Sequence, residues 1–222
     1  ASVKEADMAK KATSKSKSKK AGSSAPSDPQ AAILDAALTL AGQLGWRSVR
    51  LDDIAQSAGV EMAALYRILP SKTAIVAAYM RRVDEAVAAG GLADAGDPAK
   101  DRLFDVVMRR FDALQPDREG VAAIARDLMS DPAALICLMG NRRRSVNWLL
   151  ELAGLGSAGL KGRLRARGLE LILLSTTRAW LKDDSRDMSA TMAHLDKQLT
   201  RVDDCIGMLR NRGRRSADVV DA

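Results

Sequence analysis

Aromatic residues are scarce in this chain of 222 residues, since phenylalanine, tyrosine and tryptophan together make up 3% of it. A hydrophobic content of 47% must therefore be carried mainly by Leu, Ala, Val, Ile and Met. Runs of β-branched residues are also few, and abundant Ala and Leu favour helices. The composition predicts an all-α protein with enough core for one large domain or two small ones.

Residues that commonly carry catalysis are also rare. His194 is the only histidine, which argues against a metal site built on histidines or a Ser-His triad. Cys137 and Cys205 lie far apart without the spacing of metal ligands, so reduced cysteines are the simplest interpretation. No glycine-rich phosphate loop is recognisable. We therefore expect no catalytic residue, no metal and no cofactor.

Long apolar runs are absent as well. No stretch approaches the roughly 18–20 apolar residues that cross a bilayer, and no signal peptide is recognisable. The sequence predicts a cytoplasmic protein without an integral membrane segment.

The net charge of +7 is concentrated near the two ends. Residues 1–30 hold seven lysines against three acidic residues, and residues 209–222 hold four arginines against two aspartates. Within residues 31–80 four basic residues balance four acidic ones. We expect residues 1–28 to form a disordered basic arm that either attracts DNA phosphates or only keeps the chain soluble, and residues 211–222 to form a disordered basic tail.

Gly, Pro and Ser residues mark the predicted helix ends and domain boundaries in the rest of the chain. A first helix is predicted from Pro29 to a stop at Gly45, and Ser71 is a good N-cap for a long helix ending near Ala89. Gly90–Pro98 is rich in Gly, Ala and Asp and marks an internal boundary. We therefore expect a small domain at 29–80 and a larger helical domain at 81–210.

Residues 51–72, LDDIAQSAGVEMAALYRILPSK, predict a helix-turn-helix unit. The apolar residues at 51, 54, 55 and 58 share one helical face, and Gly59 stands where a left-handed turn favours glycine. Helical spacing then resumes from Ala63 to Leu69. Two short helices joined by such a turn place the second in a DNA major groove.

This segment also carries a family resemblance. Residues 31–80 resemble the N-terminal DNA-binding domain of TetR family regulators through four separate anchors: ILDAALTLAGQLGW, DDIAQSAGV, LYR and PSK. The resemblance implies an all-α, TetR-like homodimer, with an N-terminal three-helix domain that contains the helix-turn-helix and a C-terminal helical bundle that binds a ligand.

The second helix departs from the pattern of that family. Glu61 replaces the usual Ser or Thr, and an acidic side chain suits a helix N-terminus but faces phosphates unfavourably. Three apolar residues follow and offer base edges no hydrogen bonds. Tyr66 and Lys72 can contact phosphates, or they can be a packed and a solvated surface residue. The candidate DNA-binding residues are Arg47, Arg50, Glu61, Met62, Ala63, Ala64, Tyr66, Arg67 and Lys72.

Aliphatic residues and Met dominate the larger domain. Such a lining suits an acyl or isoprenoid chain, although ordinary core packing explains each single residue equally well. The candidate ligand-binding residues are Val107, Phe111, Leu128, Met139, Trp148, Leu173 and Trp180.

The last predicted helix, from Met188 to Leu209, has apolar residues at alternating intervals of four and three. We expect this seam to meet a second copy of the chain in a four-helix bundle, the alternative being packing on its own domain. The predicted dimer contacts are Leu164, Leu171, Met192, Leu195, Leu199, Val202 and Ile206.

The C-terminal part is also similar to the TetR-fold lipid-binding accessory proteins of ubiquinone biosynthesis. The similarity centres on Trp180, Leu181, Asp183, Asp184 and Ser185, followed by Met192, Leu195 and Asp196. Two functions therefore remain open. One is a repressor of double-stranded DNA that an apolar small molecule releases; the other is a lipid- or isoprenoid-binding protein without sequence-specific DNA binding.

Overall fold

The computed structural model describes residues 26–128 and 130–220, without the side chains of residues 206–220. The expected basic arm at 1–28 lies almost entirely outside these residues. The described part contains helices and no strand, which confirms the predicted all-α fold for it. Its elements are α1 (Pro29–Leu44), α2 (Leu51–Ser57), α3 (Met62–Ile68), α4 (Lys72–Ala89), α5 (Ala99–Leu114), a 3₁₀ turn (Gln115–Asp117), α6 (Arg118–Leu128), α7 (Pro132–Leu152), α8 (Gly159–Trp180) and α9 (Ser189–Val220).

Local sequence signals set most of the helix ends. The Asp28 carboxylate accepts a hydrogen bond from the amide of Ala31, 3.0 Å away, and caps α1. The Ser71 hydroxyl accepts one from the amide of Ala74 at 3.1 Å and caps α4, as the sequence predicts. Gly45 ends α1 with a positive φ of 79°, a conformation that costs glycine little.

Helix α4 joins the two halves of the molecule. It runs through residue 80, where the sequence placed the domain boundary, and packs on α1 as well as on α5 and α7. A buried polar cluster holds it there: Arg110 of α5 donates to the Asp84 carboxylate at 2.6 Å and to the Ser145 hydroxyl at 3.0 Å. The cluster ties α4, α5 and α7 together, so α4 is fixed to the larger bundle.

Helices α1 and α6 cross at very close range. A Cβ atom added at Gly120 of α6 would lie 2.4 Å from the backbone oxygen of Leu38 in α1. Because real Cβ atoms do not approach an oxygen so closely, only glycine fits here without moving a helix. The crossing joins the N-terminal helices directly to the bundle.

Helix α9 corrects two expectations. It continues to Val220, so residues 211–220 are helical and not a disordered tail, because extending an established helix needs no new nucleus. The heptad seam faces inward: Leu195 and Leu199 are 0% and 4% exposed, and Met192 is half-buried. The prediction that Leu195 and Leu199 are dimer contacts is therefore wrong, because α9 packs this face on α5 and α8 of its own chain.

Asp183 organises the connection between α8 and α9. This buried carboxylate accepts hydrogen bonds from the backbone and hydroxyl groups of Ser185, and from the amide and hydroxyl of Thr191 at 2.7 and 2.6 Å. Burial alone would raise the pKa of Asp183, but these hydrogen bonds outweigh it and hold the pKa well below its ordinary value. The bonds hold a segment in which Met188 adopts a positive φ of 56°.

We expect Asp183→Asn to lower the free energy of unfolding by about 1–3 kcal/mol at pH 7, because all four donors lose a charged acceptor and the one amide oxygen can serve only two of them. A depressed folded-state pKa stabilises the fold above the unfolded-state pKa, and this stabilisation is lost as pH falls through the folded-state pKa. The difference in free energy of unfolding between wild type and variant, measured by urea unfolding, should therefore shrink below about pH 4. The exposed neighbour gives the control, since Asp184→Asn should change little; a gap that stays constant down to pH 2 would contradict the account.

Among the described residues, no helix combines the length and the apolar character needed to span a membrane.

Candidate nucleic-acid interface

The helix-turn-helix lies where the sequence predicts it. Helices α2 and α3 are joined by a turn in which Gly59 has a φ of +66°. Ile54 of α2 and Leu65 of α3 are fully buried and pack with Trp46 into the core of the N-terminal unit. These contacts fix the angle between the helices, so the outer face of α3 is held rigidly.

That outer face carries Met62, Ala63, Tyr66 and Arg67, all of them exposed. Tyr66 is 65% exposed, which is unusual for an aromatic ring and leaves its hydroxyl accessible. Since these residues are one and three or four positions apart, they share one side of the helix, opposite Leu65. This face has one cationic and one hydroxyl group, and its other members are apolar.

Two further residues predicted to contact DNA, Glu61 and Ala64, are less favourable to DNA binding. Glu61 is exposed and precedes α3 without accepting a capping hydrogen bond from the helix. Ala64 is half-buried and turned partly away from the face. Both residues are therefore poor DNA contacts. Glu61 adds a negative charge that forms an ion pair with none of the described residues, and Ala64 contributes little exposed surface.

Two arginines flank the unit at the start of α2. The Arg50 guanidinium lies 3.0 Å from the Asp52 carboxylate, in a pair whose side chains are 76% and 60% exposed. Such an exposed ion pair is worth about 0–1 kcal/mol, so a phosphate can displace the carboxylate at small cost. Arg47 is also exposed, and its backbone amide donates to Asp127 of α6 at 2.5 Å.

Lys72 departs from its predicted role as a phosphate contact. Its ammonium group donates to the backbone oxygens of Trp46 and Val49 and lies 4.5 Å from the centre of the Trp46 ring. Burial lowers the pKa of Lys72, opposed by the nearby Asp127 carboxylate. The side chain therefore fastens the loop before α2, and two of its three donors are already used.

Contacts between the N-terminal unit and the bundle were invisible to sequence reasoning. Asp117 of the 3₁₀ turn accepts hydrogen bonds from Tyr79 at 3.0 Å and from Arg82 at 3.1 Å, and Arg82 also pairs with Asp35 of α1. Burial, reinforced by Asp117, raises the pKa of Tyr79, so the phenol stays protonated as a donor. Each of these pairs joins residues that are far apart in sequence, so no local sequence pattern predicts them.

The predicted ligand-binding residues do not form one site. Val107, Phe111 and Trp180 are buried in the packed core, where the rings of Phe111 and Trp180 lie 5.8 Å apart. Leu173 is half-buried against the same core. The other three line separate surface grooves: Leu128 beside Trp46, Met139 between α7 and α8, and Trp148 between α4 and α7.

A row of leucines on α8 is exposed. Leu164 and Leu171 are 74% and 69% exposed, and the residues that α8 buries, such as Leu169 and Ile172, face the other way. Leu160 and Leu174, which the sequence analysis did not select, extend the same row at helical spacing. Val202 of α9 is 41% exposed, and the side chain of Ile206 lies outside those described. We call Leu160, Leu164, Leu171 and Leu174 the leucine row.

Comparison with known proteins identifies the class of protein that has this arrangement of helices. Residues 33–79 match the model of the bacterial regulatory proteins of the tetR family, which covers most of α1, all of α2 and α3 and the first two turns of α4. The chain is a TetR-type transcriptional regulator. A curated relative, the HTH-type transcriptional repressor KstR of Rhodococcus jostii (strain RHA1), is 27% identical over 170 residues, which are 76% of this chain and 79% of that protein.

Solved structures of TetR-type regulators extend the similarity to the bundle. The TetR transcriptional regulator from Nitrosomonas europaea ATCC 19718 superposes with a TM-score of 0.65 at 26% identity and covers 78% of this chain and 97% of its own. A TetR transcriptional regulator from Rhodococcus sp. RHA1 gives a TM-score of 0.60 at 19% identity, with 78% and 93% covered. The TetR-type fold therefore includes the C-terminal helices.

Proposed function

We propose that this TetR-type regulator is a repressor that binds double-stranded DNA as a homodimer in the cytoplasm and releases it when a small molecule occupies the bundle. The observation that carries the proposal is the exposed face of α3, which the core of the N-terminal unit holds outward. The proposal assigns the chain no catalytic activity.

The side chains on this face indicate how DNA is bound. Tyr66 can donate to a phosphate and Arg67 can reach a phosphate or a base edge, while Arg50 becomes available when Asp52 is displaced. Met62 and Ala63 supply apolar surface for a thymine methyl group. With so few polar groups on α3, we expect sequence preference to come largely from DNA shape.

The leucine row supports dimerisation through α8. Four leucines exposed on one helix face form an apolar surface that monomeric proteins rarely leave open. Burying such side chains gains about 1.5–3 kcal/mol each. Two copies would meet through the same row, as a two-fold symmetric dimer requires, and would hold two α3 helices at a fixed separation.

The contacts between α6 and the N-terminal unit support a route for release. The Asp127 bond to the Arg47 amide and the close crossing at Gly120 leave α6 little freedom to move without α1 and the loop before α2. A ligand that favours a different position of α6 would therefore change the orientation of α3. The ligand must bind the two positions with different affinity, because only that difference shifts the equilibrium.

Substitutions on α3 test the proposal. We expect Arg67→Gln to weaken binding to the chain's own upstream DNA at least about 100-fold, because a dimer loses two charge-assisted contacts of about 1.5–3 kcal/mol each. Tyr66→Phe should weaken binding about tenfold through the loss of two neutral hydrogen bonds. Both effects can be measured by fluorescence anisotropy at physiological salt.

The matched control is Arg186→Gln, which removes the same charge from an exposed residue outside the N-terminal unit. If Arg67→Gln weakens binding no more than Arg186→Gln does, the contribution of Arg67 is only general attraction, and the assignment of α3 fails.

The second candidate function is a lipid- or isoprenoid-binding protein that does not read DNA sequence. One observation favours it, the acidic and apolar opening of α3 at Glu61, Met62 and Ala63. The residues that suggested this similarity have a structural explanation, since Asp183 and Ser185 hold the α8–α9 connection. Native mass spectrometry that finds an isoprenoid or phospholipid bound, in a protein without DNA preference, would favour this candidate.

A further inference from the structure

A cationic groove of about 440 Å³ lies between α7 and α8. Arg142 and Arg143 of α7 approach it from one side, and Arg163 and Arg167 of α8 from the other. Because the two helices are adjacent and antiparallel, arginines far apart in sequence converge on one space. Asn147 and Ser157 add polar groups to the lining.

The charges in this groove are not balanced. Glu170 is the one acidic residue in its lining, and it pairs with Arg167 at 3.1 Å and with Arg142 at 3.7 Å. Its side chain is only 15% exposed, but those of Arg167 and Arg142 are 75% and 50% exposed, so these pairs orient the two arginines only weakly. Among the described residues neither Arg143 nor Arg163 forms an ion pair, and both guanidinium groups remain available to an anion.

Part of the groove is apolar. Met139 and Ala166 contribute hydrocarbon surface, and Met139 is 50% exposed at the edge. Guanidinium groups match the planar or tetrahedral oxygens of carboxylates and phosphates with paired hydrogen bonds. A ligand that satisfies both parts has an oxyanion head group and a short apolar chain.

Of the site residues that the sequence predicts, only Met139 lines this groove. The N-terminal unit contributes no residue to it, and Val107, Phe111, Leu173 and Trp180 of the core do not line it. On α8 the groove lies beside the leucine row. The inference therefore does not depend on whether the chain represses transcription.

We propose that the groove between α7 and α8 binds a monomeric amphiphile with a phosphate or carboxylate head group, with Arg143 and Arg163 as its principal ligands. Arg142 and Arg167, which pair with Glu170, add positive charge around the head group. Met139 and Ala166 contact the first carbons of the apolar chain.

Isothermal titration calorimetry of the full chain with octyl phosphate, kept below the critical micelle concentration of octyl phosphate, tests the proposal. We expect saturable binding of one molecule per protomer, weakened at least tenfold in the double variant Arg143→Gln/Arg163→Gln. The control double variant Lys182→Gln/Arg186→Gln removes the same charge from exposed residues of the α8–α9 connection and should bind as wild type does. Circular dichroism melts verify that both double variants are folded.

Two further probes separate the parts of the ligand. Inorganic phosphate should bind at least tenfold more weakly than octyl phosphate because it lacks the chain, and octan-1-ol should bind more weakly because it lacks the head group. Equal weakening by the two double variants would overturn the proposal, as would equal affinity for phosphate and octyl phosphate. Binding to phosphatidylglycerol vesicles without binding to monomeric octyl phosphate would overturn it as well.

Discussion

Leu164→Asp combined with Leu171→Asp converts the protein to a monomer and abolishes high-affinity DNA binding, if α8 forms the dimer interface. Each protomer loses two apolar contacts and places two carboxylates in the contact surface. The lost burial alone amounts to about 6 kcal/mol or more over the four leucines, so the dimer dissociation constant should rise at least about 1,000-fold. Sedimentation equilibrium measures the mass, and anisotropy measures the DNA affinity.

Two comparisons make this result specific. Leu92→Asp changes an exposed leucine of the α4–α5 connection in the same way and should leave both mass and DNA affinity unchanged. Leu199→Asp should instead unfold the protomer, because that side chain is buried in its own core. A double variant that remains dimeric would refute α8 as the interface.

Gly120→Ala is expected to destabilise the protein by about 1–2 kcal/mol. The added Cβ meets the Leu38 oxygen at 2.4 Å, so α1 and α6 must separate, and overpacking of this kind costs about 1–3 kcal/mol. The loss exceeds the gain of about 0.4–1 kcal/mol that alanine brings to a helix interior. Urea unfolding followed by circular dichroism gives the free energies.

Gly140→Ala provides the matched control within α7. A Cβ at that position has no atom within 4 Å outside its own helix, so this substitution should raise stability by about 0.4–1 kcal/mol. The two alanine variants should thus change stability in opposite directions. If Gly120→Ala is as stable as Gly140→Ala, the close crossing does not hold the N-terminal helices to the bundle.

Features encoded by near neighbours could be predicted from the sequence. The cap at Ser71, the turn at Gly59 and the stop at Gly45 depend on residues within about four positions, and the structure has each of them. The family resemblance at 31–80 was equally accessible, because its anchors are contiguous. The order of helices therefore followed from local chemistry.

Features encoded by distant partners could not be predicted. A heptad seam shows that one face of α9 is apolar, but the spacing is the same whether that face meets its own chain or another copy. Lys72 binds carbonyl groups 23 and 26 residues away, and Asp127 binds an amide 80 residues away. Such pairings depend on how helices are placed in space, which periodicity does not specify.

Sequence-specific DNA binding is the central claim, and one measurement tests it most directly. The chain without residues 1–25 is titrated by anisotropy, at physiological salt, against its own upstream DNA and against a shuffled duplex of equal length. Removing the lysine-rich segment leaves recognition to α3 and its flanking arginines. We predict a preference of at least about 100-fold for the upstream DNA, which is modest beside the roughly 1,000-fold or more of specific regulators. Equal affinity for the two duplexes would contradict the account.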